Sequence, residues 1–326
     1  MGIKVSVLMI TYNHERYIAQ ALDSVLAQDV DFDYEIVVGE DHSSDGTLRI
    51  VSEYQLRNPG RIRIVTSEAN VGMHQNLIRT YRACRGDYIA MLEGDDYWTS
   101  PEKLQLQVNF LEGNPSYAIC FHGVEIYSEM VDRVIDRVRA ATSDTTFTLD
   151  DIVSDNMIPT CSALFRNRLI DEFPEWLCRL RMLDWPMNVL NAHTGPAMYL
   201  DMVMAMYRVH PQGVWNQTTE ESQLQSIIGT LDLFIEHFDP RLGQKMRAAQ
   251  DRRKLALLEL YAHSGKVEPA AALMEVLRES DDPQILVALN GISGKLRFSW
   301  WYMLLNKWQE TQFVLKKLRR RLREAL

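Results

Sequence analysis

Cysteine is scarce in this 326-residue sequence: there are four, Cys84, Cys120, Cys161 and Cys178, and no two are spaced as a C-x-x-C metal or redox pair. A disulfide scaffold is excluded, and the pattern predicts buried free thiols in a reducing compartment, hence a cytoplasmic protein. Long apolar runs are also missing. None approaches the ~18 residues that a membrane-spanning helix needs. The apolar run near the N-terminus breaks off at Asn13-His14-Glu15-Arg16, so no signal peptide is expected. No Walker-type lysine loop and no Gly-x-Gly-x-x-Gly follows that first run, which disfavours P-loop enzymes and ordinary dinucleotide dehydrogenases. Positive charge is in deficit. With 35 Lys+Arg against 44 Asp+Glu the net charge is -9, which argues against a nucleic-acid partner.

What is present is an ordinary globular composition, 46% hydrophobic and 24% charged, so a full core can form without staples. At ~150 residues per domain the length fits two domains, or one large domain with an appendage. The acidic average hides one asymmetry. Residues 313–326 carry six basic side chains and one acidic one, Glu324.

The first 113 residues alternate regularly. Apolar, β-branched runs at 5–10, 36–38, 62–65 and 88–92 lack strict period-2 alternation, as expected of strands covered on both faces. Helix-period segments at 17–27, 47–57, 73–84 and 101–111 separate and follow them. Ser100 suits the N-cap of the last one, Pro101 its first position and Gly113 its stop. Such alternation predicts an α/β fold around a mostly parallel, Rossmann-like sheet. Further strands are expected at 117–124, 158–166 and 197–208, with a helix over 184–192. From residue 218 onward no strand is predicted, and the segments 224–237, 242–263, 267–278 and 298–326 read as helices. The boundary is placed near Trp215, giving a sheet domain over 1–215 and a helical region over 216–326.

In parallel sheets ligands bind at the carboxyl ends of the strands. The first strand is followed by Thr11-Tyr12-Asn13 and the second by Glu40-Asp41-His42-Ser43-Ser44-Asp45-Gly46. Glu68-Ala69-Asn70-Val71-Gly72 follows the third, and Glu93-Gly94-Asp95-Asp96-Tyr97-Trp98 the fourth. Any one of these is an ordinary turn sequence. Four in succession on one edge mark a site. Adjacent Asp95 and Asp96 repel each other unless a cation compensates, and a hard divalent ion, Mg²⁺ or Mn²⁺, is the simplest candidate. With so few protein ligands, such an ion completes its shell with water and substrate phosphates. The Asp41-x-Ser43-x-Asp45-Gly46 run only superficially resembles a calcium loop, because position twelve is Ser52 where a bidentate Glu is required.

Together the segments VSVLMITYN (5–13), DHSSDGT (41–47), Asn70-Val71-Gly72, GDYIAML (86–92) and EGDDYW (93–98) resemble family 2 glycosyltransferases of the GT-A fold. Leu183-Asp184-Trp185 and Tyr207-Arg208-Val209-His210 are similar to later patterns of that family, so the resemblance covers about two thirds of the chain. It implies a nucleotide-diphosphate-sugar donor and a glycan or lipid-linked acceptor in cell-surface polysaccharide synthesis. Thr11, Tyr12, Asn13 and Asp41 then border the base and ribose, Asp95 contacts the ribose or the metal, and Asp96 ligates the metal. Asp184 becomes the base of an inverting displacement. Its carboxyl, with a reference pKa of ~3.9, is ionised at pH 7 and lies between Leu183 and Trp185-Pro186, where a charge is costly without a purpose. An N-cap role in the following helix is compatible with this. His210 follows a strand and precedes Pro211, and its imidazole suits a metal or a phosphate. The other seven histidines show no ligand spacing and are read as structural.

Two departures stand out. Glu93 takes the place of the first Asp of Asp-x-Asp, and the Ala-Arg-Asn expected after Asn-x-Gly is replaced by Gln75-Asn76-Leu77-Ile78, leaving Arg79 or Arg82 as substitutes. Thr160-Cys161-Ser162 is read as lining the acceptor side, its thiol as a packing group. Two alternatives are weighed. A sugar-phosphate nucleotidyltransferase needs a Gly-rich N-terminal loop with a basic residue, which Thr11-Tyr12-Asn13-His14 is not. A non-catalytic nucleotide-sugar-binding scaffold is at odds with the intact aspartates. In the last segment Trp301, Leu304, Trp308, Leu315, Leu318 and Leu322 form an apolar stripe flanked by Lys316, Lys317, Arg319, Arg320, Arg321 and Arg323. It is read either as packing on the body or on a second copy, as in a homo-oligomer, or as peripheral attachment to the inner face of an anionic membrane.

Overall fold

The computed structural model describes residues 2–292 apart from 214 and 216. The basic amphipathic segment predicted over 298–326 lies outside the described residues. The chain divides into two compact units, Met1–Thr218 and Thr219–Leu326.

In the first unit the elements run β1 (Val5–Thr11), α1 (Ile18–Leu26), β2 (Tyr34–Glu40), α2 (Thr47–Arg57), β3 (Ile62–Val65), α3 (Met73–Ala83) and β4 (Tyr88–Glu93). There follow β5 (Tyr97–Trp98), α4 (Lys103–Gly113), β6 (Ile119–Ser128), β7 (Arg133–Val138), β8 (Thr145–Phe147) and α5 (Leu149–Ile152). The last elements of this unit are β9 (Leu164–Arg166), α6 (Asp184–Ala192) and β10 (Ala197–Val209). Among the described residues the ten strands belong to one sheet ordered β3-β2-β1-β4-β9-β6-β10-β5, with β7 added to β6 and β8 to β10. The first four strands pair in parallel, and so do β6 and β10. Strand β9 runs antiparallel between β4 and β6 and joins the two parallel parts.

Central strands buried on both faces explain the continuous apolar runs: every residue of β2 is buried, and of β1 all but Ile10. Val5, Val7 and Met9 meet Ile18, Leu22 and Val25 of α1 in the core, along with Val108 and Leu111 of α4. Close helix–sheet approach is secured at Gly39, where a Cβ would fall 2.0 Å from Oγ1 of Thr80 on α3.

Three expectations are corrected. Residues 158–166 are no continuous strand: a short 3₁₀ turn at Thr160–Ser162, entered from Pro159, precedes a three-residue β9. Helix α4 begins at Lys103, two residues after Pro101, with Ser100 Oγ accepting the Glu102 N–H at 3.3 Å. Strands β5, β7 and β8 were not anticipated. They are short, and β7 is almost wholly exposed, so no apolar run announces them.

The second unit contains α7 (Glu220–His237), α8 (Gly243–His263) and α9 (Val267–Leu277). Thr219 caps α7 by accepting the Ser222 N–H at 3.2 Å. Leu258, Tyr261, Ala270, Leu277 and Ile285 are central to its own small core. Among the described residues, no helix is long and apolar enough to cross a membrane.

Candidate active site

The loops at the carboxyl ends of β1 to β4 are tied into one rim. Asn13 adopts a left-handed φ of 56° and His42 one of 58°, conformations that turn the chain sharply where each strand ends. The Asn13 N–H donates to Ser43 Oγ (3.0 Å), and Asn13 Oδ1 accepts the Ser44 N–H (2.8 Å). The His14 N–H donates to Thr47 Oγ1 (2.8 Å), the first residue of α2.

Asp41 is buried and organises the next loop. Its Oδ1 accepts the Val71 N–H at 3.0 Å and its Oδ2 the Gly72 N–H at 2.9 Å. Arg79 Nη2 lies 3.3 Å from Oδ1 while donating to Glu40 O at 2.8 Å. The arginine suggested as a substitute donor contact is therefore held on Asp41. Tyr12 is 45% exposed on the same rim, whereas Thr11 is buried beneath Gly94, its hydroxyl 2.6 Å from where a Cβ would stand.

The acidic loop after β4 is gripped from three sides. Asp95 Oδ2 lies 3.0 Å from His210 Nε2 and 3.7 Å from His14 Nε2. Burial pushes the Asp95 carboxyl up, but the two imidazoles outweigh it and hold the group below its usual range. Asp96 Oδ1 accepts the Arg208 N–H at 2.8 Å, while its Oδ2 is buried without a hydrogen-bond partner. Burial, and then the charge of Asp95, push Asp96 up. The Arg208 guanidinium donates to Asp95 O and to Gln20 Oε1, and it stacks 4.7 Å from the Tyr17 ring and 5.2 Å from the Tyr97 ring. Tyr17 completes this wall, donating its hydroxyl to Glu129 Oε2 at 2.9 Å.

Glu93 is pushed up by burial, then by the charges of Asp95, Asp96 and Asp184. Asp184 therefore shares the electrostatic neighbourhood of the acidic loop, although it starts α6 far along the chain. Its N-cap is Leu183, so Asp184 is the first residue of the helix rather than its cap. Burial raises its carboxyl, opposed by a hydrogen bond from Asn156 Nδ2 to Oδ2 at 2.9 Å. Cys161 is fully buried in the core, as its reading as a packing thiol requires.

The structure thus brings Asp95, Asp96 and His210 together and places Asp41 and Asn13 on the adjoining rim. His14, a structural histidine by its sequence spacing, lies beside Asp95: the lacing of the β1 and β2 loops, which no spacing reveals, turns it inward.

Among the described residues, no group of three or more His, Cys, Asp or Glu side chains is placed to hold a metal. The donors nevertheless suit a hard divalent ion that takes most of its shell from phosphate and water. Asp95 and Asp96 offer carboxylate oxygens, His210 an imidazole, and Asp96 Oδ2 is a buried acceptor without a partner.

A sheet of this order with polar and acidic loops at its carboxyl edge has the architecture of the GT-A fold. The model of "Glycosyl transferase family 2" matches residues 6–173, more than half of the chain, and the chain belongs to that family. An uncharacterized protein of Mycobacterium tuberculosis is 36% identical over 213 residues, 65% of this chain and 60% of that protein. The match thus spans less than two thirds of that relative. Among solved structures, S. aureus TarS in complex with UDP-GlcNAc aligns with a TM-score of 0.66 at 19% identity, covering 91% of this chain and 89% of that one. The mannosyltransferase PcManGT of Pyrobaculum calidifontis, in complex with GDP-Man and Mn²⁺, aligns with a TM-score of 0.60 at 18% identity, covering 93% and 88%. At these identities the likeness establishes the fold alone.

Proposed function

We propose that the protein is a divalent-metal-dependent, inverting glycosyltransferase that moves a sugar from a nucleotide-diphosphate sugar to a hydroxyl of a glycan or lipid-linked acceptor in cell-surface polysaccharide synthesis. The observation that carries this reading is the acidic loop at the carboxyl edge of the sheet, where Asp95 Oδ2 lies 3.0 Å from His210 Nε2 and Asp96 keeps a buried carboxylate oxygen without a hydrogen-bond partner. The donors bound by TarS and PcManGT, UDP-GlcNAc and GDP-Man, support a nucleotide sugar as the donor class.

In this reading the rim formed by Tyr12, Asn13 and Asp41 binds the base and ribose, Asp41 as a hydrogen-bond acceptor fixed by two backbone N–H groups. Asp95, Asp96 and His210 would hold Mn²⁺ or Mg²⁺, which when bound would supply Lewis-acid neutralisation of the leaving diphosphate. His14 Nε2 lies 3.7 Å from the same Asp95 oxygen that His210 contacts. Asp184 takes the proton of the acceptor hydroxyl as that oxygen attacks the anomeric carbon from the face opposite the diphosphate, which inverts the configuration.

The test is a thermal-shift panel of UDP, GDP, dTDP and their sugars, with and without Mn²⁺. Binding to the folded state alone raises its stability, so a selective, metal-dependent upshift is expected for one base. No shift with any nucleotide would overturn the proposal.

A further inference from the structure

Asn156 lies between α5 and β9, 28 residues before Asp184 in sequence. It is exposed, whereas Asp184 is partly buried. The segment carrying it is fixed to α6 at both ends. Trp185 Nε1 donates to Ile152 O at 2.6 Å, and Asn188 Nδ2 to Ile158 O at 3.4 Å. Helix α5, which leads into it, is held at its start by Asp151 Oδ2, which accepts both the N–H and the hydroxyl of Thr148 at 2.8 and 2.7 Å. The amide of Asn156 thus rests on a braced bridge and reaches Asp184 Oδ2 at 2.9 Å.

We propose that Asn156 is a positioning residue for the transfer reaction: its amide holds Oδ2 of Asp184 in one rotamer and leaves Oδ1 to face the acceptor hydroxyl. The inference rests on the reading of Asp184 as the base.

A carboxylate on a short side chain rotates about two torsions, and only some of its orientations point a lone pair into the cleft. A donor on one oxygen selects among them. That donor also favours the ionised form, the form a base needs, against the burial that disfavours it. The other groups acting on this carboxyl are the backbone N–H groups of Trp185 and of Asp184 itself. The charge of Asp184 also acts on Glu93 at the end of β4, raising that carboxyl. Asp151 of α5 is engaged by Thr148 instead.

The test begins without substrate, on the full chain carrying ¹³C-labelled aspartate carboxyls. Asp184→Asn identifies the Asp184 resonance by its loss. In Asn156→Ala the Asp184 titration is expected to move up by about one pH unit, the worth of one hydrogen bond to a charged group. Asn156→Ser, which keeps a donor, recovers part of that shift. With UDP-GlcNAc and GDP-mannose as probe donors, release of nucleoside diphosphate by Asn156→Ala shows the acid limb of kcat displaced upward by the same amount, at unchanged KM for the donor. An Asp184 titration that is the same with and without the Asn156 amide overturns the inference, as does a displaced titration with an unmoved kcat profile. Turnover retained by Asp184→Asn overturns the base reading instead, and the two failures are thereby distinguished.

Discussion

His210 Nε2, just past the end of β10, stands 3.0 Å from Asp95 Oδ2 in the loop after β4, although 115 residues separate them. The contact joins the two parallel parts of the sheet at its carboxyl edge and gives the acidic loop a partner that the sequence order conceals.

Replacing that imidazole tests the metal assignment. His210→Ala leaves Asp95 with His14 alone, at 3.7 Å, and removes a nitrogen donor. Mn²⁺ affinity, measured by calorimetry in the presence of UDP or GDP, is expected to fall by roughly tenfold or more. Unaltered affinity would exclude His210 from the site.

Gly94 tests the packing under the acidic loop. A Cβ there would lie 2.6 Å from Thr11 Oγ1 and 3.0 Å from His14 Nδ1, both buried. Gly94→Ala is expected to lower stability by about 1–3 kcal/mol in urea denaturation and to weaken nucleotide binding by displacing the β1 loop. Wild-type stability and binding together would show that the loop gives way freely.

Lys103 makes a prediction about pH. It is fully buried, donates Nζ to Gln107 Oε1 at 2.7 Å and lies 4.2 Å from the Trp98 ring centre. Burial lowers its pKa from 10.5 to about 7. Between those values the unfolded chain binds a proton that the folded chain does not, so stability contributed here rises with pH from about 7 to 10.5 and is lost as pH falls. Lys103→Met abolishes this dependence. The stability of the variant relative to wild type should therefore increase by roughly 5 kcal/mol from pH 10.5 down to pH 7. A difference independent of pH would mean that the ammonium finds solvation when the protein is folded.

The first four strands were legible because burial on both faces demands unbroken apolar runs, and the loops after them because the chain spends Asp, Asn and Glu there. The edges of the sheet were not. Strand β7 shows neither a buried face nor a long run, and Pro159 with the 3₁₀ turn at Thr160–Ser162 interrupts what reads as one strand. Contacts made across loops were equally hidden: His14 is turned toward Asp95 by the Asn13–Ser43 and His14–Thr47 hydrogen bonds, and Asn156 reaches Asp184 only through the bridge from α5. Residue type at the strand ends marked Asp41, Asp95 and Asp96 as candidates, and the family resemblance pointed to Asp184 and to the segment ending in His210. Three-dimensional placement alone marks their supports.

The most direct measurement compares wild type with Asp184→Asn in two assays, donor binding and release of nucleoside diphosphate on transfer. The substitution keeps the shape and the Asn156 contact region but removes the proton acceptor. Binding is expected to survive while transfer falls by about 10²–10⁴-fold, the usual worth of a general base. Undiminished transfer by Asp184→Asn would contradict the assignment of catalysis to this carboxylate.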